Sequence, residues 1–273
     1  MKYTETFYER VPSGRRKISA VLRASGDVIE IGDVVAALSV TRTTAAKLLS
    51  RWTHQGWLRR VASGTYVPAP MDSLESEHVL EDSWILVPAL YAPCYIGGRT
   101  AAEHWDLTEQ LFRDIVVMTA QPIRNRDQLR HGTHFTLRHI KEKNIFGTKM
   151  VWRGQTKILI SDVHRTIIDM LNEPALGGGI QHVQDCLNAY FKRSDRKDEL
   201  LIDYADKLGN GAIFKRLGFL AERKLAGSQL AEQCLARLTK GNAKLDPLLE
   251  CPRLVSKWRL WTPQSWVAAR AHD

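Results

Sequence analysis

The chain has 273 residues, 44% apolar and 25% charged, a balance that excludes a wholly disordered protein. Its formal net charge is +9, and no apolar run approaches the roughly 18 residues that a membrane span requires. A soluble globular protein of about two domains, with an acidic partner and no membrane, is the expectation.

The excess charge is unevenly spread. The first 70 residues hold eleven Lys and Arg against five Asp and Glu, so two thirds of the surplus sits in the first quarter of the chain. The opening stretch, MKYTETFYERVPSGRRK, lacks the apolar core of a signal peptide, and a cytoplasmic location is expected. Cys94, Cys186, Cys234 and Cys251 are scattered without a Cys-x-x-Cys pair, which predicts reduced thiols and neither a disulfide framework nor a zinc site.

In chain order, GRRKISAVLRASG places Ile18, Val21 and Leu22 at helical spacing and stops at Gly26. DVIEI is strand-like, and GDVVAALSV sets Val34, Val35 and Leu38 on one face of a short helix. Thr41 offers a capping oxygen to a third helix in which Ala45, Leu48, Leu49 and Trp52 form a single apolar stripe. WLRRVASGTYVP then predicts two strands around a turn at Ser63-Gly64. Helix, strand, helix, helix, hairpin is the layout of a winged helix-turn-helix.

PAPMDSLESE has two prolines and no apolar period, and predicts a linker over residues 71–77 between a DNA-binding domain at 1–70 and a second domain at 78–273. SWILVPALY suits a helix or a strand, and GGRTAAEHWDL a tight turn entering a short helix. DIVVMT, HFTLRHI and KMVWRGQTKILIS are β-rich; SDVHRTIIDMLN to about Thr239 is mostly helical; KWRLWTP is again strand-like. The expected fold class is α+β, an N-terminal winged helix followed by a larger mixed α/β domain that ends in helices.

Opposite the apolar stripe of the third helix lie Thr43, Lys47, Ser50, Arg51 and His54, with Arg42 at its start. Between Leu38 and Tyr66 no Asp or Glu occurs, as a polyanion contact requires, because a carboxylate there would repel phosphate. These side chains donate to phosphates and base edges. Arg59 and Arg60 would reach the backbone or the adjacent minor groove from the hairpin, and Arg15 and Arg16 a flanking phosphate. A solvated helix face that touches nothing is the competing reading of the same residues.

Catalysis has weaker support. Asp106, Glu109, Asp114, Asp162 and Asp169 are candidate carboxylates for a metal-dependent nuclease, which would gather two or three of them with a lysine around a divalent ion. His131, His134 and His139 enter a strand whose alternation separates the last two, so surface or capping roles are expected. LGGGI, residues 176–180, runs three glycines into a helix whose N-terminus suits an anion; a flexible junction is the plainer reading. Asp162 suits a helix cap, and Arg165 and Asp169 are spaced to pair on a helix surface. Neither a catalytic residue, a metal nor a cofactor is expected. A nuclease and a ligand-responsive regulator without a toxin partner stand as alternatives.

The N-terminal layout, with YIGGRTAAEHWDLT, ILISDVHRTIIDMLNEPALGGGI, RLGFLAE and KWRLWTP in that order, resembles the AbiE-type (AbiEi) antitoxins of type IV toxin–antitoxin systems. The resemblance implies an autorepressor that binds inverted repeats in its own promoter as double-stranded DNA. It also implies a phage-defence role in which the second domain opposes a nucleotidyltransferase-like toxin without a stable complex. Gly97, Gly98, Asp162, Arg165, Thr166 and Asp169 match the family pattern and are expected to be mostly structural: a tight turn, a helix cap and a surface pair.

Overall fold

The computed structural model describes residues 13–69, 82–225 and 227–268. The expected linker at 71–77 lies outside them. Two compact units result. Of the described residues, the first takes those up to Ala92 together with Leu129–Thr133 and Met150–Ile158; the second takes Pro93–Gln128, His134–Lys149 and those from Leu159 onward.

The first unit opens with α1 (Ser13–Ser25), which buries Ile18 and Val21 and ends at Gly26 with φ +75°. Strand β1 (Ile29–Glu30) leads into α2 (Ile31–Leu38), capped when the Glu30 N–H donates to Asp33 Oδ2 at 2.7 Å. Ser39, in the left-handed region, turns the chain into α3 (Arg42–His54). Strands β2 (Leu58–Ala62) and β3 (Thr65–Pro68) form the hairpin around Gly64, whose φ of +79° a residue with a Cβ seldom adopts. The three strands pair antiparallel in the order β1-β3-β2, with a bulge between Arg60 and Ala62.

The core of this unit gathers Ile18, Val21, Ile29, Val34, Ala45, Leu49, Trp52, Leu58 and Tyr66. Each large side chain here is worth about 1.5–3 kcal/mol of apolar burial. Three helices that could not stand alone are thereby held against one small sheet. SWILVPALY, open between helix and strand in the sequence, is a 3-10 turn at Ser83–Ile85 running into α4 (Leu86–Tyr91).

A six-stranded mixed sheet has the strand order β6-β7-β5-β4-β9-β8, and β4, β5 and nearly all of β7 lie in the second unit. The strands are β4 (Cys94–Ile96), β5 (Asp114–Thr119), β6 (Asp127–Arg130), β7 (Thr133–His139), β8 (Thr148–Arg153) and β9 (Thr156–Ser161). Strand β5 lies between β7, parallel to it, and β4, antiparallel to it. Buried from Ile115 to Thr119, it accordingly shows a nearly continuous apolar run instead of alternation.

Helix α5 (Gly98–His104) follows β4. After the sheet come α6 (Val163–Asn172), α7 (Ile180–Phe191), α8 (Asp198–Leu208), α9 (Gly211–Lys224) and α10 (Gln229–Ala236). Their shared core includes Ile167, Leu171, Val183, Leu187, Leu217, Leu220 and Trp258. A small sheet of order β10-β12-β11 follows (Ala243–Lys244, Leu260–Thr262, Arg253–Val255), then a short α11 (Ser265–Ala268). KWRLWTP is therefore only partly strand: Ser256–Trp258 is a 3-10 turn before β12.

Candidate nucleic-acid interface

Both ends of α3 are fixed by local chemistry. The Thr41 hydroxyl accepts the Thr44 N–H at 3.3 Å and thereby caps the first turn. At the other end the Gly56 N–H donates to the Thr53 carbonyl at 3.0 Å and the Trp57 N–H to the Trp52 carbonyl at 2.9 Å. That pair of bonds is a Schellman closure, and Gly56 holds the required positive φ of +72°. Ala45, Leu49 and Trp52 are buried and Leu48 half-buried, which fixes the rotation of the helix about its axis.

The opposite face is what remains for solvent. Arg42, Thr43, Lys47, Ser50, Arg51 and His54 are all exposed. Arg42, Lys47 and Arg51 close no ion pair with a described residue, so their charges are available to an outside anion. Arg15 and Arg16 are exposed in the first turn of α1, where the positive end of the helix dipole disfavours cations and no acid compensates. A phosphate there would relieve that repulsion.

Arg59 and Arg60 are neighbours on β2, in register with Val67 and Tyr66, and strand alternation sends them to opposite faces. Arg59 is half-buried, whereas Arg60 is exposed and its Nε donates to the Ala62 carbonyl at 3.1 Å. They do not present one paired grip.

The residues matching the family pattern fall in the second unit. Gly97 precedes α5 in extended backbone; Gly98 has φ +56°, and a Cβ on it would sit 2.5 Å from the Leu176 carbonyl oxygen. Asp162 caps α6 by accepting the Arg165 N–H at 2.7 Å, while its second oxygen accepts the Tyr204 hydroxyl at 2.8 Å. Thr166 donates to the Asp162 carbonyl at 2.7 Å and lies 2.7 Å from the Ser161 hydroxyl.

The expected surface pair of Arg165 and Asp169 is instead buried, at 1% and 4% side-chain exposure. Helix α6 is covered on every side, since all residues from Val163 to Leu171 are buried, and helical spacing alone could not reveal this. Burial pushes the Asp169 carboxyl above its ordinary value, against the opposing pull of Arg165 and of the Tyr95 hydroxyl. Sequence reasoning missed Tyr95, which completes the cluster by donating to Asp169 at 2.9 Å and accepting from Arg165 at 2.9 Å.

The remaining chemical candidates disperse. Asp114 is spent on Arg99 and Thr136, Asp162 on its cap and Asp169 on Arg165. Among the described residues no three His, Cys, Asp or Glu side chains gather to hold a metal. His131 lies 2.9 Å from the Val61 carbonyl and His139 3.0 Å from that of Gln121. At the triple glycine, Ile180 donates its N–H to Asp246 Oδ2 at 2.9 Å, so a buried carboxylate already occupies that helix end.

Cys186 lies 3.7 Å from His182, one turn earlier on α7. The imidazole is held between the Gly177 carbonyl and the Thr108 hydroxyl, and burial pushes the thiol up to about 12, which leaves no thiolate at neutral pH. Arg99 and Arg126 are paired with Asp114 and Glu173.

Residues 16–69 match the family model described as transcriptional regulator, AbiEi antitoxin. The resemblance read from the sequence therefore holds over the segment that carries α1 to β3. Among solved structures, the chain is similar to the RV2827C protein from Mycobacterium tuberculosis, with a TM-score of 0.61 at 15% identity over 92% of each chain. That likeness is one of fold. No curated protein matches the chain. Among the described residues no helix is long and apolar enough to cross a membrane.

Proposed function

We propose that the first unit is a winged helix-turn-helix that lays α3 in the major groove of DNA, and that the protein is a transcriptional autorepressor serving as an antitoxin. The observation that carries this reading is the exposed, acid-free face of Arg42, Thr43, Lys47, Ser50, Arg51 and His54 on a helix fixed at both ends. The family match over residues 16–69 supports the same role. Arg60 and Arg59 would hold the DNA backbone from either face of the wing, and Arg15 and Arg16 a flanking phosphate.

In the finer reading, residues 1–70 bind inverted repeats in the promoter and residues 78–273 oppose a nucleotidyltransferase-like toxin of a type IV, phage-defence system. Toxin and antitoxin form no stable complex, the protein works in the cytoplasm, and it carries out no chemistry of its own.

The test is binding of the full chain to the DNA just upstream of its gene, with a scrambled duplex as control, over a range of salt. A preference of roughly 10³-fold with a steep salt slope supports the repressor. Equal, weak binding to both duplexes overturns it. Protection of cells from the neighbouring gene's product, with and without the second unit, tests the antitoxin role separately.

A further inference from the structure

The second unit contains a pocket of about 440 Å³ that the DNA-binding reading does not use. Ile140 and Leu208, both half-buried, give it apolar surface, and its charged lining sets Arg138, Lys141, Lys143, Arg165 and Lys207 against only Asp169 and Glu173.

Both carboxylates are already engaged. Asp169 holds Arg165 at 2.8 Å, and Glu173 accepts Arg138 at 2.8 Å as well as Arg126. Lys141 and Lys143, exposed on either side of Glu142 at the 3-10 turn Glu142–Asn144, close no ion pair with a described residue. Lys207 reaches the same pocket, its ammonium 5.6 Å from the Phe146 ring centre and 2.7 Å from the surface carboxylate of Asp203.

Like charges collected around a concavity repel one another and raise the local concentration of anions. The volume is that of a small-molecule site. A bare anion would satisfy the lysines and leave the apolar surface wet. A ligand carrying two or more negative charges on a flat, largely apolar body satisfies both.

We propose that this pocket binds a nucleotide, its phosphates held by Lys141, Lys143 and Lys207 and its ring set against Ile140 and Leu208. Lysine suits phosphate as a compact point charge and needs no fixed geometry. The same chemistry is presented by a free nucleotide and by the 5′-phosphate end of a nucleic-acid strand.

Calorimetric titration of the full chain with ATP, and separately with a 5′-phosphorylated trinucleotide, separates the two sources. Saturable binding of ATP, weakened at least about tenfold in the Lys141→Ala, Lys143→Ala double variant at an unchanged melting temperature, supports a free nucleotide. The same loss seen with the trinucleotide while ATP fails to saturate supports a strand end. No saturation by either probe up to about 1 mM, or equal affinity in the double variant, overturns the proposal.

Discussion

Arg165 and Asp169 sit one helical turn apart on α6 and form an ion pair of 2.8 Å that solvent hardly reaches. Arg165 also stacks on Phe146, with its guanidinium carbon 4.1 Å from the ring centre, and donates to the Asn144 carbonyl at 3.1 Å. One side chain thus ties α6 to β4 through Tyr95 and to the turn before β8. Arg165→Ala would leave Asp169 and Tyr95 buried without their cation, which costs about 3–5 kcal/mol. The expected outcome is a clear fall in the denaturant midpoint, whereas replacing Arg165 and Asp169 together by apolar residues of similar volume recovers much of the loss. An equally large loss in that double variant would contradict the ion-pair account.

Gly218 lies in the middle of α9, where alanine would ordinarily gain about 1 kcal/mol of helix propensity. Its missing Cβ is the space into which the Trp258 ring packs, and Cys234 closes the other side at 2.9 Å. Overpacking of about 1–3 kcal/mol outweighs propensity here, so Gly218→Ala should lower the melting temperature by several degrees. A stabilised variant would show that the contact yields easily.

His164 gives stability a pH dependence. Its Nδ1 lies 2.8 Å from the Tyr190 hydroxyl, and burial lowers its pKa below 6.5; Asp162 and Asp195 pull it up, and Lys197 and Lys149 push it down. The folded chain therefore holds the proton more weakly than the unfolded one. The neutral ring's contribution is complete above pH 6.5 and is lost as pH falls through the lowered value. Melting temperatures between pH 7 and 5 should fall more steeply for the wild type than for His164→Gln; parallel curves would remove His164 from the account.

Lys47→Ala and Arg51→Ala address the face of α3 without touching its core, since both side chains are exposed. Each should weaken binding to the upstream DNA and reduce the magnitude of the salt slope by about one if it meets a phosphate. A variant that loses sequence preference at an unchanged slope has instead lost a base contact. Unchanged affinity in both would move the interface elsewhere.

The elements from α1 to β3 were legible in the sequence because they rest on short-range chemistry. Thr41, the apolar stripe and Gly56 mark α3 within sixteen residues, and Ser63-Gly64 marks the hairpin. A stripe that must face a small core leaves one face for solvent, so the exposure of Lys47 and Arg51 followed directly. The placement of Arg165 and Asp169 did not follow. Their spacing is the same on a surface helix and on a buried one, and only packing on all sides of α6 decides between them.

Likewise, the bond from Ile180 to Asp246 and the pocket that joins Met118 to Lys207 unite residues far apart in the chain. The sequence alone determined the helices and the hairpin from α1 to β3 and the uneven charge, because caps, turns and periodicity act over a few residues. The tertiary structure alone decided which charges are buried, which are neutralised and which line a concavity, because those depend on what the fold brings against each side chain.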